Sequence, residues 1–268
     1  MSSDQRIDPP PAMLGQSVDR ESETAEEGSR MTFLEHLEEL RKRIIYALYS
    51  LLVAAVVPGI FADRIYKWLL AYFAQVLPQN VKMIYTQAAE GFMFEFKLVM
   101  IVALLIASPF VFAQFWLFVA PGLYAKERKV VIPFVISASA LFLAGAMFAH
   151  YIAFIQMWRF LATFSNEYVQ FVPTIGEAFT LYIDILLILG VIFELPVLVY
   201  FLTRFGVVTW QFLARQWKYA VVTSVIVAAI VTPSPDFFSQ FVVAIPLLAL
   251  YGVSIGVAWL FRRREAAA

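Results

Sequence analysis

Five stretches of this chain are apolar for about the length a helix needs to cross a bilayer, and no other feature limits its fold as much. They lie at 44–62, 98–120, 130–151, 179–202 and 237–261, and a shorter sixth of 13 residues lies at 219–231. Crossing the hydrocarbon takes about 20 helical residues, because an unpaired backbone amide there costs several kcal/mol and only a helix or a closed barrel pairs them all. The alternation of a barrel strand is missing, so the expectation is an all-α polytopic membrane protein. Composition agrees: 62% of residues are hydrophobic and 15% charged, against about 25% charged in a soluble domain.

Counting cations orients the bundle, since cytoplasmic flanks are enriched in Lys and Arg. Arg30, Arg41, Lys42, Arg43, Lys126, Arg128, Lys129, Arg204, Arg215, Lys218 and Arg262–Arg264 fall on one face, and only Arg64, Lys67, Lys82, Lys97 and Arg159 on the other. Six spans with both termini in the cytoplasm put the larger group inside. Five spans, with 219–231 re-entrant, would strand Arg262–Arg264 outside, so six is the better count.

Residues 1–30 carry three consecutive prolines and mixed charge, with too little apolar content to offset ordering entropy. They are expected to form a disordered tail ahead of a six-helix domain at 31–261 and a short cytoplasmic tail at 262–268. Met31 offers an alternative start, and no cleavable signal peptide is evident. Phe33, Leu37, Leu40 and Ile44 recur at helical spacing, with acids and bases on other faces, which predicts an interfacial amphipathic helix feeding the first span. Glu38–Lys42 and Glu39–Arg43 are i,i+4 pairs in the favourable order, so spacing alone makes them ordinary helix support. Two aromatic-rich segments, 63–96 and 159–177, are expected to cap the outer face, broken at Pro78 and Pro173.

Glu194 is the most informative side chain. It stands about 14 Å before the end of the fourth span, near the middle of a core about 30 Å thick. A carboxylate there is neutral, paired, or turned to a water-filled concavity, and Pro196 frees a carbonyl at the same depth. Asp184 is expected at the outer interface, Gln114 in an interhelical hydrogen bond, His150 at the interface rather than on a ligand, and Trp116 in an aromatic belt at the inner boundary.

Several functions find no footing. Net charge is zero, so no basic surplus exists for nucleic acid. There is no cysteine, only two histidines, no phosphate-binding GxxxxGK[ST] loop, no HExxH and no GxSxG. Neither an enzyme nor a cofactor or metal is expected.

Four words carry a resemblance: HLEELRKR at 36–43, QFWLFVAPGLYAKERK at 114–129, FELP at 193–196, and TPSPDFFSQ at 232–240 followed by AIPLLALY. Their order and spacing resemble the TatC family of the twin-arginine protein translocase. The resemblance implies a cupped bundle of six helices, the last two short, with a cap on the outer side. It implies the core receptor of the translocase, which binds twin-arginine signal peptides of folded cargo in a bacterial-type inner membrane and organises export driven by the protonmotive force. The implied partners are the single-span TatA and TatB proteins, in an oligomeric receptor complex.

Residue by residue, the resemblance assigns Glu39 and Glu127 to the two signal arginines, with Leu40, Arg41 and Phe118 supporting that surface. It assigns Glu194, with Gln114 as a second intramembrane polar group, to the docking of a partner helix, and Asp236 and Gln240 to an outer-face motif. Gly252 stands where many relatives carry an acid, so a partner contact by that acid is not expected here. The rival expectation is a proton-coupled small-molecule transporter in which Glu194 titrates.

Overall fold

The computed structural model describes the backbone of residues 11–75, 77, 82–119, 128–168, 171–232 and 236–261, with side chains from 34 onward except 119 and 128–131. Among the described residues the chain forms ten α-helical segments and one π-helical turn. They are α1 Pro11–Ile60, α2 Ala62–Ala74, α3 Glu90–Val119, α4 Arg128–Phe148, the π turn Ala149–Phe154, α5 Ile155–Ala162, α6 Ile175–Ile192, α7 Leu195–Arg204, α8 Trp210–Arg215, α9 Trp217–Val231 and α10 Phe237–Leu260. Long enough and apolar enough to span are Leu34–Ile60, Glu90–Phe118, Ile132–Ala162, Ile175–Arg204 and Phe237–Leu260, joined by the shorter apolar helix Trp217–Val231. The six-span all-α architecture expected from the sequence is therefore present.

The boundaries differ from the sequence reading in informative ways. Helix α1 runs Pro11–Ile60 as one element, so the interfacial stretch expected to feed the first span is continuous with it. Helix α3 starts at Glu90, eight residues before its apolar run, and the third span continues through the π turn to Ala162. Both extensions carry polar or aromatic residues that a search for unbroken apolarity stops at.

At the cation-poor end a core of large side chains gathers α2, α3, the π turn, α5 and α6 around Phe73, Phe94, Phe154, Met157, Phe179 and Ile185. Helix α2 lies over this core, turning Leu69 and Phe73 inward. A single parallel bridge pairs Ile84 with Thr174, fastening the segment before α3 to the one before α6. Pro78 lies outside the described residues. Pro173 stands at the expected break, and Thr174 caps α6 by accepting from the Glu177 amide at 3.2 Å.

Helices α4 and α6 meet through small residues. A Cβ on Gly145 would stand 2.7 Å from the Leu189 carbonyl oxygen, and one on Gly190 would stand 2.7 Å from the Phe142 ring. Only glycine permits this approach, which is how helices pack closely where lipid supplies no hydrophobic drive. Toward the cation-rich end α3, α4 and α7 share a second core of Trp116, Phe134, Ala138, Val197 and Phe201. Trp116 stacks on Phe201 at 3.9 Å between ring centroids, so it is a core residue and not the belt residue expected. Helix α1 packs chiefly on α3 and leaves most of its remaining surface exposed.

Candidate functional site

Two places bring the sequence-singled polar residues together. The first is the cation-rich end, where the start of the α1 span crosses the end of α3. An i,i+4 spacing puts Glu39 and Arg43 on one face of α1, and the Arg43 Nη2 donates to Glu39 Oε1 at 3.1 Å. The Arg43 Nη1 donates to Gln114 Oε1 on α3 at 3.2 Å. Gln114 is buried within an otherwise apolar helix, and this bond offsets a burial that costs about 1–3 kcal/mol when unmatched. Beside it His36 of α1 stacks on Phe118 of α3, centroids 4.5 Å apart.

Glu35, Glu38, Glu39, Lys42, Arg43 and Tyr46 line a concavity of about 370 Å³ on this face. Lys42 pairs with Glu38 at 3.0 Å, both side chains mostly exposed, whereas the Glu39–Arg43 pair is about two-thirds covered. Leu40 is half-buried and Arg41 exposed on the same stretch. Glu127 lies outside the described residues.

The second place is inside the membrane. Helix α6 ends where the Glu194 amide donates to the Val191 carbonyl at 3.0 Å, a tightened turn, and Pro196 at the start of α7 cannot donate. This jog sets Glu194 on the wall of an 800 Å³ concavity between α3, α6–α7, α9 and α10. The lining is mostly apolar, with Gln216, Thr223, Ser224 and Tyr251 as polar points. The Glu194 Oε1 is buried and has no hydrogen-bond partner among the described residues. Glu194 stands ten residues before the end of the span Ile175–Arg204, about 15 Å along the axis.

Other expectations divide. Asp236 caps α10, accepting from the Ser239 amide at 2.7 Å, and Gln240 follows in the first turn; residues 233–235 of that motif lie outside the described ones. Asp184 is exposed but stands nine residues into α6, about 14 Å along the axis. It shares a groove there with Lys97 of α3, about 15 Å along the helix axis from Glu194. His150 is buried, not interfacial: its ring lies against Tyr72 at 4.1 Å and Trp68 at 5.2 Å, and Nδ1 meets the Tyr182 hydroxyl at 3.1 Å.

Glu90 was not singled out from the sequence. One of its oxygens accepts from the Thr86 amide at 2.8 Å and the Gln87 amide at 3.2 Å, and the other from the Gly176 amide at the start of α6. No capping-box spacing marked it, since Glu90 follows Thr86 by four residues where the box needs three, and the Gly176 amide is 86 residues away. Among the described residues no group of three or more acids and histidines is arranged to hold a metal ion.

Residues 35–246 match the family model described as Sec-independent protein translocase protein (TatC). The chain is 38% identical over 245 residues to the protein of that name from Koribacter versatilis (strain Ellin345), covering 88% of this chain and 90% of the relative. It is 40% identical over 223 residues to the one from Helicobacter pylori (strain J99 / ATCC 700824), covering 83% and 87%. A crystal structure described as the twin arginine translocase receptor TatC superposes with a TM-score of 0.72 at 31% identity, over 85% of this chain and all of that one. With the family match reaching from the first span into the sixth and the fold shared at this level, the chain belongs to the TatC family.

Proposed function

We propose that the protein is the core receptor subunit of a twin-arginine translocase, taking up the signal peptides of folded cargo and organising their export with TatA and TatB. The observation that carries the reading is the seat of Arg43. At the cation-rich end a carboxylate, Glu39, already holds a guanidinium in good geometry, partly shielded from water. Guanidinium and carboxylate form planar, charge-assisted pairs, and a ligand with two arginines needs two such acceptors. Glu127, in the matched motif after α3, is the second. Leu40, Arg41 and Phe118 complete the surface, with Phe118 steadied by its stack on His36.

In this reading the cation-rich face is cytoplasmic, with both termini, and the membrane is the bacterial cytoplasmic one. The imbalance of cations between the two faces supports that orientation. The intramembrane concavity takes a partner helix from TatA or TatB: its walls suit an apolar span, and Glu194 offers one acceptor to a polar residue on it. Asp236 and Gln240 hold the opposite end of α10, and several copies assemble into the receptor complex. Export draws on the protonmotive force. The transporter reading of Glu194 finds no support among the relatives.

The test is site-specific cross-linking of a twin-arginine signal peptide to the protein in membrane vesicles. Glu39→Gln and Glu127→Gln should each lower capture about ten-fold while the protein stays inserted. Undiminished capture by both variants overturns the reading.

A further inference from the structure

The Arg43 guanidinium uses two different nitrogens for its two partners: Nη2 for Glu39 on its own helix, and Nη1 for Gln114 on α3. One bond can therefore open while the other holds. Glu39 is the charged, accessible partner, while Gln114 is neutral and buried. The neighbouring pair lacks this construction, since Lys42 reaches only Glu38, in open solvent.

We propose that Arg43 is a resident arginine that occupies Glu39 in the empty receptor and swings onto Gln114 alone when the guanidinium of an incoming signal takes its place. This rests on the reading of Glu39 as an acceptor for a signal arginine. The exchange is like for like: one guanidinium leaves the carboxylate and another arrives, and Glu39 is not left unpaired in the empty receptor. Gln114 keeps the displaced side chain hydrogen-bonded, so it is not left crowding the ligand as a free like charge.

The exchange subtracts the same free energy from every cationic ligand. It lowers affinity for arginine and lysine signals by one common factor and leaves their ratio unchanged, because specificity is a difference of affinities. At a working concentration only the tighter, arginine ligand stays bound. Arg43 thus sets the threshold of the site, and the arginine fork sets its preference.

Binding of a labelled twin-arginine signal peptide, and of the same peptide with both arginines changed to lysine, to the purified full-length protein in lipid nanodiscs tests this. Arg43→Met should lower Kd for both peptides by the same factor, about two- to five-fold beyond Lys42→Met, which removes an equal charge from the same face. Gln114→Leu should raise Kd by a similar factor when Arg43 is present and change nothing when Arg43 is already Met. The proposal falls if Arg43→Met weakens binding, matches Lys42→Met, or alters the arginine-to-lysine ratio. It falls also if Gln114→Leu has the same effect in both backgrounds. Glu39→Gln separates the two levels: if it leaves binding intact, the reading of Glu39 is lost and the exchange with it. If it abolishes binding while Arg43→Met does not tighten it, only the exchange is lost.

Discussion

Gly190 and Glu194 stand one turn apart on the fourth span, and their surroundings are opposites. At Gly190 the helix is shut against α4, with the Phe142 ring occupying the place a Cβ would need. At Glu194 the same span opens onto a concavity of about 800 Å³ and presents a buried oxygen with no hydrogen-bond partner among the described residues. The tightened turn at 191–194 lies between these two conditions, and Pro196 follows it. One span thus supplies a rigid back and an unfilled front. A seam that admits no side chain fixes geometry, whereas a concavity leaves room for one.

The sharpest way to break this contrast is to fill the seam. Gly145→Val drives a branched side chain at the Leu189 carbonyl and the Gly190 Cα, both backbone, so neither can turn aside. We expect a loss of about 3 kcal/mol, the upper end for overpacking, seen as a large drop in melting temperature of the purified protein in detergent. Thr223→Val, a change of similar shape on the concavity wall, should move stability by less than about 0.5 kcal/mol.

The next effect has the opposite sign. Glu194→Leu removes an unsatisfied buried oxygen and should raise stability by about 1–2 kcal/mol while impairing assembly with the partner subunits. Glu194→Gln keeps an acceptor and should retain more assembly than Leu. If Leu destabilises the fold and assembly is unchanged, the front is structural like the back, and the contrast disappears.

The spans were legible because lipid allows a chain so few solutions: apolar length located five, and the placing of the cations decided for the short sixth. Their ends were not. Glu90, Ala162 and Ile175 lie where helices outrun the apolar stretch, and such extensions depend on partners distant in sequence, as when Glu90 reaches the Gly176 amide. The chemistry of Gln114 was legible as an interhelical hydrogen bond, but its partner, 71 residues away, was not. Nor was the burial of Trp116 and His150, because aromatic residues suit an interface and a core equally and only packing decides. Glu194 was readable in depth because one residue spacing converts directly into distance along a helix. Its concavity needed α9 and α10 in place.

A smaller effect probes α10, one wall of the open side. Asp236→Ala deletes the side-chain cap on the Ser239 amide and should cost about 1 kcal/mol, measured as a shift in thermal midpoint. Asp236→Asn, which keeps the accepting oxygen, should recover most of it. A full loss with Asn would mean the charge matters more than the cap.

The smallest prediction concerns the closed side. Tyr72 of α2 donates its hydroxyl to the His150 carbonyl, and burial pushes the phenol from its ordinary value of 10 up to about 12. A phenol with a raised folded-state value holds its proton longer in the folded protein, so its contribution is complete below pH 10 and fades as pH climbs from 10 toward 12. Tyr72→Phe should cost about 1 kcal/mol at neutral pH through the lost hydrogen bond, and should flatten part of the alkaline decline. Tyr66, also raised by burial and by its bond to Tyr85, contributes to the same decline. On the open wall Thr223→Val removes no titrating group, so it should leave the alkaline decline as it stands in the unaltered protein. A decline equally undiminished by Tyr72→Phe, followed by thermal midpoint from pH 9 to 12, would place the sensitivity outside this hydrogen bond.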